Sequence, residues 1–385
     1  MMESKLNLSK RVLNTEAPIM QIMKDLSAGM DVISLSQGVP FFGPPDGLLK
    51  FVNEREGIDR YGPDGGDPEL KEAIAVKLKQ KNGIEADPEH GLMVTSGANL
   101  GFFNAAASIC DPGDEMVLIG PYYFNHRMTL DVLGVNFTVS RADDGHIPLP
   151  DDISSSISER TRAVVLVSPN NPTGMSYPKS VVSEIIDICV DNDLWLISDE
   201  TYEDFTYEND HFSPGSEGGD LPVVSLFSLS KSYGISGWRV GYAAYPEILH
   251  ESMLKVQDTT VICPSRVSQS AALFCIREHP GHTARFIPYL DRNRSMLIDW
   301  KRRLPQLSGP NPDGAYYSLL GYVGERPFET SMDLARSILE MTGVLVVPSS
   351  PFGLEDPPSF RMAYGNVGNE ELREALERLD EFFQD

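Results

Sequence analysis

The chain is poor in cysteine. Its 385 residues include four cysteines, Cys110, Cys189, Cys263 and Cys275, and no two of them form a CxxC pair. Zinc sites and disulfide frameworks depend on closely and regularly spaced cysteines, so this distribution predicts neither. We therefore expect reduced thiols, no metal site and a cytoplasmic protein.

Basic residues are also scarce. The sequence has 32 lysines and arginines against 56 acidic residues, which gives a net charge of −24. Such a charge repels phosphate backbones and anionic membrane surfaces, so it disfavours nucleic acid and membrane partners. A salt-adapted protein and an ordinary solvated acidic surface both agree with it. The hydrophobic content of 41 % is typical of a globular protein, and the length allows two domains.

No apolar run is long enough to span a bilayer or to form the core of a signal peptide. Residues 1–26 are amphipathic and interrupted by charge. Transit peptides are poor in acidic residues, whereas this segment contains Glu3, Glu16 and Asp25. The sequence therefore predicts neither secretion nor import into an organelle.

The sequence does contain a series of strand–helix units. Short apolar runs near residues 93, 117, 165, 196 and 225 predict strands, and helical stretches separate them. A further helix, capped by Asp67 and beginning at Pro68, precedes the first strand. This alternation is typical of an α/β fold with a mainly parallel sheet, which collects ligands at its carboxyl end. After about residue 275 the pattern changes to a helix at 281–304 and short strands near 315–323 and 344–348, which indicates a second lobe.

One lysine lies in a costly place for a charge. Residues 223–242 form an apolar run that places Lys231 among small residues, three positions after Ser228 and eight before Arg239. Burial and positive neighbours favour a neutral lysine, and a neutral amine attacks a carbonyl to form a Schiff base. A hydroxyl and a guanidinium together suit a phosphate group. This combination suggests pyridoxal phosphate, although Lys231 could equally cap a strand and Arg239 lie on the surface.

Polar and aromatic residues follow several of the predicted strands. Residues 97–99 begin a helix, where free backbone N–H groups can bind an anion. Tyr123 belongs to an aromatic cluster that could stack on a planar ligand, and Asp199 and Tyr202 stand where another strand ends. Arg361 is a lone cation in an apolar strand. Each of these residues also has an ordinary interpretation as a turn or packing residue.

Six motifs in one order give the chain a family resemblance. From about residue 30 onward it resembles the fold-type-I pyridoxal-phosphate aminotransferases of class I/II. The motifs are GAN at 97–99, PYY at 121–123, NNPTG at 170–174, SDETY at 198–202, SLSKSYGISGWRVGY from Ser228, and FR at 360–361. The resemblance implies an α/β large domain, a smaller α+β domain and pyridoxal 5′-phosphate as cofactor.

The resemblance also assigns the central catalytic groups. Lys231 forms the aldimine with the cofactor, and its freed amine then moves a proton, so that the amino group passes through a pyridoxamine intermediate. Asp199 faces the pyridine nitrogen and keeps it protonated. Tyr202 and Asn171 donate hydrogen bonds to the phenolic oxygen, and Tyr123 stacks on the ring.

Two anionic groups have binding residues by the same resemblance. The phosphate is bound by Gly97, Ala98, Asn99, Ser228 and Arg239. The substrate α-carboxylate is bound by Arg361, Asn171 and the backbone of Gly38.

Two further matches concern neighbours of the site. Tyr61 matches a tyrosine that reaches the phosphate of the other subunit, which implies a homodimer with shared active sites. His126 matches a histidine that supports the aspartate in some members.

The finer resemblance is to a branch that includes plant methionine and aromatic aminotransferases. Dicarboxylate-specific relatives carry a second arginine near residues 259–260, where this chain has two threonines, with Arg266 nearby. We therefore predict a neutral or aromatic L-amino acid of the methionine, phenylalanine or tryptophan type, and a 2-oxo acid acceptor. Phe41, Phe42 and Ile262 are candidate walls of the side-chain pocket.

The predicted organisation has three parts: residues 1–45 form an N-terminal arm and part of the small domain, 46–275 the large cofactor-binding domain, and 276–385 the small domain. One alternative function keeps the cofactor, since the same scaffold hosts lyases and cyclases that expel a β- or γ-substituent. A transcription regulator would need a basic DNA-binding domain ahead of the fold. A degenerate paralogue would have lost Lys231 or Asp199, and both are present.

Overall fold

The computed structural model describes residues 7–218, 221–325 and 328–384. Its α-helices are Lys10–Asn14 (α1), Ile19–Leu26 (α2), Leu48–Asn53 (α3), Pro68–Lys77 (α4), Ala98–Ile109 (α5), Phe124–Leu133 (α6), Pro150–Ser155 (α7), Lys179–Asp191 (α8), Leu229–Ser232 (α9), His250–Val261 (α10), Arg266–Glu278 (α11), Ile287–Arg302 (α12), Ser331–Thr342 (α13) and Asn369–Gln384 (α14). Within the described ranges, no helix has both the length and the apolar character that crossing a membrane requires.

The strands form two larger sheets and one short pair. They are Ile33–Ser34 (β1), Leu92–Thr95 (β2), Glu115–Ile119 (β3), Asn136–Ser140 (β4), Thr161–Val167 (β5), Trp195–Asp199 (β6), Val223–Ser228 (β7), Gly241–Ala244 (β8), Leu307–Ser308 (β9), Tyr317–Tyr322 (β10), Val344–Leu345 (β11), Val347–Pro348 (β12) and Ser359–Ala363 (β13).

The larger sheet has seven strands in the order β2–β8–β7–β6–β5–β3–β4. Only β8 runs against its neighbours β2 and β7, and the other pairs are parallel. The predicted mainly parallel α/β sheet is therefore confirmed, with all five predicted strands in it. Two strands, β4 and β8, complete the sheet without having been predicted.

Helices cover both faces of this sheet, which explains the continuous apolar runs of its strands. On one face Phe102 of α5 and Met253 of α10 pack against the strands, and on the other Ile74 of α4 and Ile185 of α8 do so. All of the predicted parallel strands end at one edge of the sheet. The polar residues that follow them are brought together there.

The second lobe is built on a four-stranded antiparallel sheet in the order β12–β13–β10–β9. Its core includes Trp300, Phe360 and Leu379, and also Met23 from the N-terminal segment. The parallel pairing of β1 with β11 joins Ile33 to Val344. The N-terminal segment therefore contributes to the core of the smaller lobe.

Local features agree with the sequence in part. Asp67 caps α4, since its Oδ1 accepts a hydrogen bond from the Glu69 N–H at 2.9 Å, as predicted. The helix predicted at 281–304 is instead a short 3₁₀ turn, His282–Arg285, followed by α12 with Pro288 in its first turn. The N-terminal segment forms two short helices, α1 and α2, because extended residues up to Pro18 separate them. Residues 1–6 of that segment lie outside the described ranges.

Candidate active site

A cavity of about 600 Å³ lies at the carboxyl edge of the large sheet, where it meets the second lobe. All but two of the predicted site residues line it. These residues are Gly38, Ala98, Asn99, Tyr123, Asn171, Asp199, Tyr202, Ser228, Lys231, Arg239 and Arg361. The described residues contain no cluster of histidine, cysteine and carboxylate side chains that could hold a metal ion.

Lys231 lies on α9, the single helical turn that follows β7. Its Nζ donates a hydrogen bond to the carbonyl oxygen of Gly38, and protein surrounds the amine except on the side of the cavity. The pKa of Lys231 is lowered to about 8, chiefly by burial and also by the positive charges of Arg239 and Arg361, which outweigh the opposite effect of Asp199. The amine is therefore largely available in its neutral, nucleophilic form at mildly alkaline pH.

Asp199 is the buried carboxylate at the end of β6. One oxygen accepts a hydrogen bond from the Thr201 N–H at 3.0 Å, and the other lies 3.2 Å from Nε2 of His126. The histidine contact has the distance of an ion pair but not the alignment of a hydrogen bond. Burial alone would raise the pKa of Asp199, but His126 and Thr201 outweigh it and hold that pKa below its ordinary value. Asp199 is therefore a fixed negative charge in the cavity.

Phenol groups surround the middle of the cavity. The Tyr202 hydroxyl lies 2.7 Å from that of Tyr317 and accepts a hydrogen bond from Asn171 at 3.4 Å. Burial raises the pKa of Tyr202 well above its ordinary value and that of Tyr123 to about 12. Both groups are therefore neutral hydrogen-bond donors at physiological pH. The Tyr123 ring meets His126 edge to face, with ring centroids 5.2 Å apart.

One end of the cavity is built to bind an anion. Ala98 and Asn99 begin α5, whose first N–H groups point toward the cavity with the positive end of the helix dipole. Arg239 lies across this helix start, and its Nη1 donates to the Ser236 carbonyl at 2.9 Å. Gly97 permits this approach, because a Cβ there would lie 2.5 Å from Nη2 of Arg239. Arg239 makes no ion pair with the acidic side chains that the structure describes.

A buried guanidinium also lines the cavity. Arg361 is 2 % exposed, and its guanidinium donates to the Asn171 side-chain oxygen at 2.9 Å and to the Ser36 carbonyl at 2.6 Å. Its Nε has no hydrogen-bond partner, and no carboxylate of the described chain neutralises it. A buried guanidinium without a counter-ion is costly unless a bound anion supplies the charge. The cavity thus contains two candidate anion sites and a nucleophilic amine.

Two predicted site residues lie outside the cavity lining. Gly97 contributes by admitting Arg239, as described above. Tyr61 is 79 % exposed and lies in a separate surface cavity beside Cys263 and Arg266. Arg266 itself turns away from the active site, because its guanidinium donates to the Gly57 carbonyl at 2.8 Å and lies 3.7 Å from Asp67.

The predicted apolar walls are wrong within one chain. Phe42 stacks on Phe286 with ring centroids 4.1 Å apart, and Phe41 stacks on Tyr289 at 4.3 Å. Both rings therefore pack under the loop that carries Gly38 and do not face the cavity. Ile262 lies at the exposed end of α10.

Sequence reasoning missed other lining residues, notably Tyr317, Ser36 and, from α2, Gln21 and Lys24. Tyr317 stands in a run, GAYYS, that follows a glycine- and proline-rich turn. That run predicts a strand but gives no register. The pairing that brings β10 beside β13 is visible only in the structure.

The chain matches the family model described as aminotransferase class I and II over residues 30–379. It is 35 % identical to the aromatic aminotransferase ISS1 of Arabidopsis thaliana, over 97 % of this chain and 95 % of that protein. It is 33 % identical to a probable aspartate/prephenate aminotransferase of Thermus aquaticus, over 92 % of each chain. The solved structure of the aspartate aminotransferase from Thermus thermophilus with maleate superposes with a TM-score of 0.91 at 31 % identity, over 98 % of this chain and 99 % of that one.

Proposed function

The chain belongs to the class I and II aminotransferases, which use pyridoxal 5′-phosphate, and we propose that it transfers the amino group between a neutral or aromatic L-amino acid and a 2-oxo acid. The proposed donors are of the methionine, phenylalanine or tryptophan type. The observation that carries this proposal is the pair of guanidiniums, exposed Arg239 and buried Arg361, which line the cavity of Lys231 without a described carboxylate partner, with a single fixed acid, Asp199, in the same cavity.

The residues present fit the cofactor. Arg239, Ser228 and the first N–H groups of α5 would hold its phosphate, since this end of the cavity has cationic donors without a protein counter-ion. Asp199 would hold a proton at the pyridine nitrogen, because its pKa lies below the ordinary value. When bound, pyridoxal 5′-phosphate supplies an aldehyde that takes up the amino group and a ring that stabilises negative charge on the substrate Cα.

The remaining residues orient the substrate and move a proton. Arg361 would bind the α-carboxylate as a bidentate pair, with Asn171 fixing the plane of the guanidinium. Lys231, in its neutral form, would take the proton from the substrate Cα and return it to the carbon on the cofactor side of the transferred nitrogen. Tyr202 would donate a hydrogen bond to the phenolic oxygen, because burial keeps its own proton in place.

The proposed side-chain preference follows from the cations of the cavity. The described lining contains Lys231, Arg239 and Arg361, which are all used above, and Lys24, which is exposed at the mouth. A side-chain carboxylate would therefore find no buried cation within one chain. Val39, Phe124 and Leu345 offer an apolar lining instead.

The proposal includes a homodimer in which sites are shared. Tyr61 is exposed and lines a separate surface cavity instead of its own active site, so it would serve the site of a second copy. A cytoplasmic location belongs to the same proposal. It is supported by the four free cysteines, two of them buried.

We expect phenylalanine, methionine and tryptophan to give kcat/KM values at least about tenfold above that of aspartate. Burying the unpaired side-chain carboxylate of aspartate costs more free energy than a tenfold difference in kcat/KM represents. The test is steady-state transamination of each donor with one fixed 2-oxo acid. The control is alanine, whose short side chain tests carboxylate binding alone. An aspartate value equal to or above that of phenylalanine would contradict the proposed preference.

Uptake of the cofactor is expected to follow the lowered pKa of Lys231. Because only the neutral amine attacks the aldehyde, the rate should rise with pH up to about 8 and then level off. The rate is expected to rise at lower pH than it would for an ordinary lysine, whose pKa is about 10.4, because a lowered pKa leaves more neutral amine at every pH below that value. Stopped-flow absorbance with the apoprotein measures this rate. A rate that still climbs steeply above about pH 9 would show an unperturbed amine.

A further inference from the structure

Tyr317 connects two parts of the site that the mechanism treats separately. On β10 it pairs with Ala363 of β13, which places Arg361 two residues along on the same face of the sheet. Such diagonal neighbours are within reach of aromatic and long side chains. The guanidinium of Arg361 indeed lies over the Tyr317 ring, 4.7 Å from its centroid.

The other end of the same side chain meets Tyr202. The two hydroxyl oxygens are 2.7 Å apart, and both phenols are buried. Gly38 makes room for this hydroxyl, because a Cβ at that position would overlap the Tyr317 oxygen. The ring of Tyr317 therefore faces one functional group and its hydroxyl faces another.

The role proposed for Tyr202 sets the direction of the hydroxyl contact. Asn171 already donates to the Tyr202 oxygen. If Tyr202 gives its own proton to the cavity, the Tyr317 hydroxyl must be the donor in the pair, because Tyr202 has only one proton. A donor into the Tyr202 oxygen polarises the Tyr202 O–H bond and strengthens the bond that it makes in turn.

We propose that Tyr317 is a positioning residue with two separable actions, in which its ring holds the Arg361 guanidinium flat for a substrate carboxylate and its hydroxyl strengthens the hydrogen bond that Tyr202 donates into the cavity. This inference rests on the proposed function, since it uses the roles given there to Arg361 and Tyr202. It adds a residue through which carboxylate binding and cofactor polarisation share one side chain.

The two actions can be tested by two different replacements in the cofactor-loaded enzyme. Y317F keeps the ring and removes the hydroxyl, whereas Y317M removes the ring at similar volume. One readout is the pH midpoint of the absorbance transition of the bound cofactor. The other is the calorimetric Kd of 3-phenylpropionate, which carries the carboxylate and the aromatic ring but no amino group to react.

For Y317F we expect the absorbance midpoint to rise by about 0.5 pH unit or more. A weaker hydrogen bond from Tyr202 stabilises the deprotonated form of the bound cofactor less. The Kd of Y317F for 3-phenylpropionate should stay within about twofold of the parent. For Y317M the Kd should increase about fivefold or more, as expected for loss of a buried cation–π contact. Y207F is the matched control. It removes the hydroxyl that donates a hydrogen bond to the Ala315 carbonyl at 2.7 Å, and this hydroxyl bonds neither Tyr202 nor Arg361.

An unchanged midpoint in Y317F would overturn the action of the hydroxyl, and an unchanged Kd in Y317M would overturn that of the ring. Should Y317M not fold, as judged by circular dichroism, Y317L provides the same test. Y202F and R361K, measured in parallel, distinguish a failure of the proposed function from a failure of this inference. If Y202F leaves the midpoint unchanged or R361K leaves the Kd unchanged, the roles assigned under the proposed function fail. If Y202F shifts the midpoint and R361K raises the Kd while the Tyr317 variants change neither quantity, only this inference fails.

Discussion

Replacement of Lys231 by alanine is expected to reduce transamination by about 10⁴-fold or more, because the chain then lacks both the amine that anchors the cofactor and the base that moves the proton. The anion site formed by Arg239 and α5 is untouched, so the cofactor should still bind, with weaker affinity. Wild-type protein reduced with borohydride should carry the cofactor covalently on the peptide that contains Lys231, and K231A should carry none.

The matched control for this change is K255A, which removes an exposed lysine that pairs with Glu251 on α10, outside the cavity. We expect wild-type activity from it, since exposed ion pairs contribute little to stability. Covalent labelling of K231A at another lysine, with activity retained, would show that Lys231 is not the anchoring residue.

Replacement of Asp199 by asparagine is expected to lower kcat by about 10³-fold, because the amide cannot hold a proton at the pyridine nitrogen and no longer supplies a fixed negative charge. The change keeps the size of the side chain and retains an oxygen that can accept the hydrogen bond from the Thr201 N–H. Single-turnover kinetics with phenylalanine measure the effect on the chemical step. Cofactor binding should weaken far less than kcat.

The control for Asp199 is D204N, which neutralises another acid of the same loop. Asp204 pairs with Lys81 and does not line the active-site cavity, so its loss should leave kcat within about twofold. Equal losses in D199N and D204N would indicate that the loop was disturbed as a whole. A D199N enzyme with normal kcat would contradict the assigned role of the carboxylate.

The sequence predicted the part of the site that follows parallel strands. The strands β2, β5, β6 and β7 are mainly apolar, so the polar residues after them stand out, and parallel topology forces those residues to one edge. Arg361 was recognisable for a related reason, as a lone cation in an apolar strand. In each of these cases local contrast in the sequence coincides with position in the fold.

The features that were missed depend on pairing between distant segments. Tyr317 reaches Arg361 and Tyr202 only through the register of β10 and β13 and the closure of the second lobe on the large sheet. The strand β4 is short and half exposed at the sheet edge, so its alternation carries a weak signal. Phe41 and Phe42 misled because aromatic residues beside a glycine loop can face either a ligand or a core, and here α12 covers them.

The most direct measurement is a single half-reaction. Purified enzyme loaded with pyridoxal 5′-phosphate is mixed with phenylalanine in the absence of any 2-oxo acid, and the absorbance of the bound cofactor is followed while the products are analysed by mass. The account predicts conversion to the aminated cofactor with one phenylpyruvate released per active site and no ammonia. Ammonia or continuous product formation without an acceptor would contradict transamination and point to elimination, and the absence of any bound-cofactor band before phenylalanine is added would contradict the assignment of Lys231.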